Sequence, residues 1–196
     1  MDKLMTCAIA YQNLLDVSYR CIIGRKGKLK EFTLIFDMYH FHHLAGLHKL
    51  SDIPKIRGNR ERVFKNILLG ELTYDDISES KDFQSIQSRL DYLHELENFM
   101  DSNSIIFNYD KRNNPSSRIE AAYLLQNAVD SEILYFFIDK DDYSNNFMGK
   151  SFFPKGHIDF TIAQPRWTLL FKEKIDRSNK KNIIQYDKLN SAEFSE

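Results

Sequence analysis

At 196 residues the chain has the size of one domain, long enough to remove roughly 70 % of its unfolded surface from water. A hydrophobic content of 42% with only seven glycines and four prolines excludes a disordered or collagen-like chain, and 15 phenylalanines with 10 tyrosines predict an aromatic interior. With 27 basic against 28 acidic side chains there is no global positive field of the kind that drives non-specific nucleic-acid binding, so any such contact has to be local.

Leu4, Ala8, Tyr11 and Leu15 recur at helical spacing and predict an amphipathic helix over residues 2–15. Gln12 and Asn13 interrupt this apolar stretch too early for a signal peptide, and no segment approaches the ~20 apolar residues of a membrane span. The expectation is a cytoplasmic protein with no membrane partner. Cys7 and Cys21 are too few for a disulfide scaffold and read as core packing in a reduced compartment. Two β-branched and aromatic runs follow, Val17 to Ile23 and Leu29 to Phe36, joined by the glycine-bracketed turn Gly24 to Lys28; this is a hairpin.

The segment after the hairpin, Met38 to Leu50, concentrates four of the six histidines: His40, His42, His43 and His48. Histidine both takes and gives a proton near neutrality, so such a cluster is a chemical signal. Read as one helix from Tyr39 to Leu50, Phe41, Leu44, Leu47 and Leu50 share one arc, and His42, Gly46 and Lys49 share the other. His43 falls at the border, whereas His40 and His48 fall nearer the apolar arc. An imidazole, an ammonium and a glycine that admits close approach would suit a phosphodiester. Against this, histidines beside apolar residues more often pack against a carbonyl, which is the preferred reading for His40, His48 and His94 taken singly; His42 and His43 stand evenly between the two. His40 and His43 could share a metal at i, i+3 spacing, but no zinc-type ligand set completes the site, so no metal and no cofactor are expected.

Beyond Pro54, Val63, Phe64, Ile67, Leu68 and Leu72 predict a helix from about Asn59. Thr73 to Asp76 reads as the cap of a short one, and Phe83, Ile86, Leu90, Leu93 and Met100 trace a longer helix to about Phe99. Strands are then expected at Ile105 to Tyr109, Arg118 to Leu125, Ile133 to Ile138, Ile158 to Ala163 and Trp167 to Ile175. The whole is an α+β pattern: an N-terminal helix and hairpin, a helical middle third, and C-terminal antiparallel strands forming one sheet with helices on one face. Residues 1–176 make one domain with a helical insert at 59–101, and residues 177–196 are expected to be loosely ordered.

Other candidates are weaker. The basic hairpin tip from Arg25 to Lys30 could grip phosphates but reads first as a solvated turn. Ser151 and His157 lack the elbow of a serine hydrolase, and there is no phosphate loop, dinucleotide fingerprint or calcium loop. Arg166 and Trp167 could stack a base, although Trp167 opens an apolar strand and reads as core.

The run HFHHLAGLHKL after the strand LKEFTLIF, followed by KSFFP and the strand WTLLFKEK, resembles a family of phage- and mobile-element-associated domains grouped with barnase, EndoU, colicin and RelE-like nucleases, in its fourth-numbered phage subgroup. The similarity runs from about Val17 to Ile175. It is best at Phe41, His43, Leu44, Gly46 and Leu47, and next at Ser151 to Phe153. The resemblance implies an α+β nuclease fold and a metal-independent endoribonuclease of toxin or phage type. In such chemistry the ribose 2′-hydroxyl attacks phosphorus, a base and an acid move protons, and a cation stabilises the phosphorane. Carried onto this sequence, His43 is first choice for base or acid. Lys49 or Lys172 is the cation, Ser151 a hydrogen-bonding contact, and His42, His48 and His157 compete for the second proton transfer. Arg20, Lys26, Lys28 and Arg118 are the RNA-binding candidates. Expected partners are RNA, such as tRNA, and a protein inhibitor or a phage or host protein. The alternative is a non-catalytic module of the same fold that holds a protein through its helical middle third. The two readings separate on whether Arg20, Lys26, Lys28, Lys49 and Lys172 share a face, or are scattered beside an exposed apolar helix face.

Overall fold

The computed structural model describes residues 2–190. Helix α1, Lys3–Gln12, begins at Asp2, whose carboxylate accepts the Met5 amide at 2.9 Å and the Tyr74 amide at 2.7 Å. It buries Leu4, Cys7, Ala8 and Tyr11, close to the expected stripe. Strands β1, Val17–Arg25, and β2, Lys28–Ile35, form the expected hairpin. Its turn narrows to Lys26 and Gly27, both at positive φ (48° and 74°), which matches the right-handed twist of the paired strands. Cys7 and Cys21 are free and buried at core positions.

The strands do form one sheet, but instead of lying with helices on one face it closes into a barrel. Eight strands pair in the order β1-β2-β6-β5-β4-β3-β7-β8, and β1 also pairs with β7, so seven strands close on themselves while β8 lies outside on β7. The remaining strands are β3 Ile105–Asn108, β4 Tyr123–Val129, β5 Glu132–Lys140, β6 Phe147–Pro154, β7 Arg166–Asp176 and β8 Lys181–Asp187. Closure depends on β7: its first residues pair with β3 at Ile106↔Trp167, and its remainder pairs with β1 from Gly24↔Thr168 to Val17↔Asp176. Bulges at Ile22/Ile23 and Lys172/Glu173 supply the extra twist this needs. The seam opposite is thin, since β2 and β6 meet in parallel at Leu34↔Phe147 alone. The rest of that β6 edge has no strand neighbour, and helices pack there instead.

Several expected elements shift. The strand expected at Ile158 to Ala163 is a turn, because Asp159 folds the backbone by accepting the Thr161 amide at 3.0 Å and its hydroxyl at 2.6 Å. The strand the sequence hid is β6, whose Gly149, Lys150, Ser151 and Pro154 are poor strand formers and which β5 holds through pairing. The strand expected from Arg118 starts only at Tyr123. The long helix splits into α5 Gln84–Tyr92, a 3₁₀ turn Leu93–Glu95 and α6 Leu96–Asp101. Helices α3, Arg60–Leu68, and α4, Tyr74–Ser78, start where expected, with Asn59 capping the first and Thr73, the expected cap, the second. Within the stretch expected to be loose, residues 181–187 form β8, and 191–196 lie outside the described residues.

β5 is buried on both sides. Leu134, Phe136 and Ile138 join the main core with the helices, while Tyr135 and Phe137 join a second cluster with Tyr109, Leu124 and Phe160. Helices therefore cover one side of β5, and the irregular segments 109–121 and 155–165 cover the other.

Helix α2, Met38–Leu44, ends earlier than expected because Gly46 turns left-handed at φ 79°, and a 3₁₀ turn, Leu47–Lys49, follows. A Cβ on Gly46 would come within 2.7 Å of Ile86 Cγ2 and 3.0 Å of Arg89 Cδ, so backbone sign and close packing both require glycine. Gly46→Ala is expected to lower stability by roughly 2–4 kcal/mol, from left-handed strain plus overpacking. Urea denaturation checks this, and an unchanged midpoint would mean that α5 does not pack against this turn.

Candidate functional site

The reversal at Gly46 decides which histidines meet solvent. In one continuous helix His42 would face out and His48 in. The observed turn buries His42 and exposes His48, and brings the His43 and His48 rings to 4.6 Å. His42 Nε2 lies 3.2 Å from the Ile56 carbonyl, pinning α2 to the segment below it. His48 and Lys49 instead stand at the mouth of a cavity of about 680 Å³. Its other walls are Arg89 from α5, Lys150 and Ser151 from β6, Ser116 to Glu120 from one irregular segment, and Ile158 and Phe160 from the other.

Arg89 is the chemical centre of this cavity. It is only 7% exposed, Nη1 donates to Ser151 Oγ at 2.7 Å, and the guanidinium lies 4.9 Å from the Phe153 ring centroid. Among the described residues no carboxylate pairs with it. A buried guanidinium ordinarily has a counter-ion. Here burial pulls its pKa down to about 10, and its field acts on everything nearby. Lys49 is pulled down to about 8, by burial first and then by Arg89. His48 falls to about 4, through burial and then the charges of Arg89 and Lys49. His48 is exposed, so water offsets part of the burial effect, but both cations act in the same direction. His43 also falls to about 4, through burial and then His48.

Lys150 gains its position from an irregularity. β6 pairs Ser151 with Phe137 and Gly149 with Ile138, so Lys150 is the extra residue of a bulge, and it stands on the wall common to this cavity and a second pocket. That second pocket, about 240 Å³, holds His43.

Four of the residues singled out from sequence thus meet in one cavity: His48, Lys49, Ser151 and Arg118. His43 sits next door and touches His48. Lys172, expected as a phosphate-binding cation, is 3% exposed and donates to the carbonyls of Met100, Asp101 and Ser102 at 2.7–3.2 Å; it caps the end of α6. Arg20 pairs with Glu31 and Glu173 on β1, Lys26 and Lys28 are exposed at the hairpin tip, and none of the three lines the cavity. His157 is exposed and does not line it either. Trp167 is core, as its sequence setting suggested.

Arg89 and Lys150 escaped the sequence reading. Arg89 did carry a signal: it occupies the apolar stripe Ile86, Leu90, Leu93 at i+3, where a charge needs a reason. Lys150 carried none, because a bulge is set by pairing.

Residues 3–189 match the family described as phage-Barnase-EndoU-ColicinE5/D-RelE like nuclease4. The chain belongs to that family. The match covers more than the Val17 to Ile175 stretch on which the resemblance was seen. No curated protein and no solved structure matches the chain. The family name points to a nuclease, and so to nucleic acid as the kind of substrate the family handles. Among the described residues of this nuclease-family chain, no group of three or more His, Cys, Asp or Glu side chains could hold a metal ion, and no helix is long and apolar enough to cross a membrane.

Because Lys172 neutralises three carbonyls at a helix end, Lys172→Met is expected to cost about 2–4 kcal/mol. Chemical denaturation measures that loss, and the folded variant should keep whatever cleavage the wild type shows. A stable, folded but inactive variant would return Lys172 to the reaction.

Proposed function

We propose that the chain is a metal-independent endoribonuclease whose reaction centre is the Arg89 cavity, cleaving RNA by attack of the ribose 2′-hydroxyl on the adjacent phosphorus. The observation that carries this reading is the buried, carboxylate-free guanidinium of Arg89, set on Ser151 and flanked by His48 and Lys49. A phosphate supplies the counter-charge that the protein withholds, and a phosphorane, with its greater charge, gains more from it.

Each neighbour has a role that fits its electrostatics. Ser151 Oγ accepts from Arg89, which leaves its own O–H free to donate to a phosphate oxygen. His48 is neutral near pH 7 and can take the 2′-hydroxyl proton. Lys49, with its pKa near 8, remains mostly protonated at neutrality yet gives up a proton more readily than an ordinary lysine, which suits the acid that protonates the leaving 5′-oxygen. His43, the first choice from sequence, takes a supporting place against the His48 ring. Lys150 and Arg118 are cations for the flanking phosphates, and a structured RNA such as tRNA is the proposed substrate class. The chain's near-zero net charge is compatible with this because the cations are gathered locally.

The binding-module alternative asked for scattered cations beside an unpartnered apolar helix face. Of Arg20, Lys26, Lys28, Lys49 and Lys172 only Lys49 lines the cavity, so those cations are scattered. The stripe of the middle third does not offer such a face, since Ile86, Leu90, Leu93, Phe99 and Met100 are all buried in the chain's own core.

Purified protein incubated with cellular RNA in EDTA is expected to cleave it. His48→Ala should lose about 10²–10⁴-fold in rate, and Arg89→Met at least about 10²-fold, with folding verified by circular dichroism. Full activity in a folded Arg89→Met variant would remove this cavity as the reaction centre. The pH dependence of kcat/KM follows from the two shifted groups. His48 must be unprotonated, so the rate rises with pH through about 4; Lys49 must be protonated, so the rate falls above about 8. A rising limb near 6.5 instead would point to an unperturbed histidine.

A further inference from the structure

The second pocket, beside the Arg89 cavity, shares His43 and Lys150 with the site above but is given no role of its own there. Tyr39, His40 and His43 of α2 form one side of it, and Asp141 and Tyr143, from the turn between β5 and β6, form another. Three features there are left unexplained by folding. His40 is 2% exposed, and its Nδ1 accepts the Asp37 amide at 3.1 Å, so the neutral ring carries its proton on Nε2. That Nε2 has no partner among the described residues, although buried N–H groups are almost always paired. Burial lowers the His40 pKa, which keeps the ring in this neutral form. Asp141 is buried too; Oδ1 accepts the Tyr39 hydroxyl at 3.3 Å, while Oδ2 makes no hydrogen bond among the described residues. Tyr143, by contrast, is 89% exposed, an aromatic face held at the rim with solvent against it.

An unpaired buried donor, a buried carboxylate with an open oxygen and a bare aromatic ring surround a space of about 240 Å³, enough for one ring system. Unstacked bases in RNA are bound in this way, by stacking on an aromatic side chain and by hydrogen bonds along an edge that carries both donor and acceptor. Lys150 on the common wall stands between this space and Arg89, where the sugar-phosphate link would pass.

We propose that the second pocket is a nucleobase subsite, taking the base of a nucleotide adjoining the phosphate at Arg89, stacked on Tyr143 and hydrogen bonded to His40 Nε2 and the Asp141 carboxylate. This rests on the Arg89 cavity being the phosphate site. It adds that cleavage is selective for the base at one position, and that His40 and Asp141 read it.

The test is calorimetric titration of the full chain with inorganic phosphate and with the four nucleoside 3′- and 5′-monophosphates, comparing wild type with Tyr143→Ala, Asp141→Asn and Arg89→Met. At least one monophosphate should bind about tenfold or more tightly than phosphate, the scale of one base–aromatic stack. Tyr143→Ala and Asp141→Asn should each bring it toward the affinity of phosphate. Phosphate binding that depends on Arg89, with no added affinity from any base, would overturn the subsite and leave the reaction centre standing. An added affinity that survives both pocket variants would overturn it as well, placing the base elsewhere. Phosphate binding that is absent, or indifferent to Arg89→Met, would bring down both readings together.

Discussion

A guanidinium buried without a carboxylate is the constraint around which this molecule is arranged. Arg89 occupies an apolar-stripe position of α5, so the helix cannot pack its core face without also delivering a charge to the barrel wall. Two contacts make that tolerable within the protein, the Ser151 hydroxyl that accepts from it and the Phe153 face beneath it, and both come from β6. Neither neutralises it. In the function proposed above, the remaining compensation comes from outside as a phosphate in the cavity beside it.

The same residue explains features that look unrelated along the chain. Gly46 must lack a side chain because the Arg89 stem and Ile86 occupy the space a Cβ would need. Its left-handed turn ends α2 and swings His48 back beside His43. Gly149 plays the corresponding part on the strand side, where a Cβ would meet the Phe136 ring at 2.7 Å and Leu44 at 3.0 Å, so α2 can lie close on β6. Two glycines thus let a helix and a turn fill the seam where β2 and β6 meet in one residue pair. The cavity lies further along β6, at Lys150 and Ser151, beyond that single pair.

Electrostatics follow from burial and from cations crowded along one wall of the cavity. Burial first, and then each neighbouring positive group, favours the deprotonated form, so His48 is held neutral and Lys49 is brought toward the range where an ammonium exchanges its proton near physiological pH. A structural lysine in the same chain shows the contrast. Lys172 is also buried, but its ammonium is spent on three carbonyls at the end of α6.

Local spacing determined much of this protein. The helical stripes, the helix start near Asn59, the cap at Thr73, the first hairpin and the α+β class were legible because each depends on residues a few positions apart. The histidine segment was legible as chemistry for the same reason, as was the Phe-His-His-Leu-x-Gly-Leu run that carried the family resemblance. What the tertiary structure alone decided depends on pairing between distant segments. Closure of the barrel needs β7 to reach β3 and β1 together, and β6 exists because β5 pairs with it despite a glycine, a serine and a proline in its sequence. The bulge that gives Lys150 its place is likewise a fact of register. Which histidine faces the cavity was beyond the sequence too, since it turns on one left-handed residue at Gly46, where Ile86 and Arg89 of the distant helix α5 leave no room for a side chain.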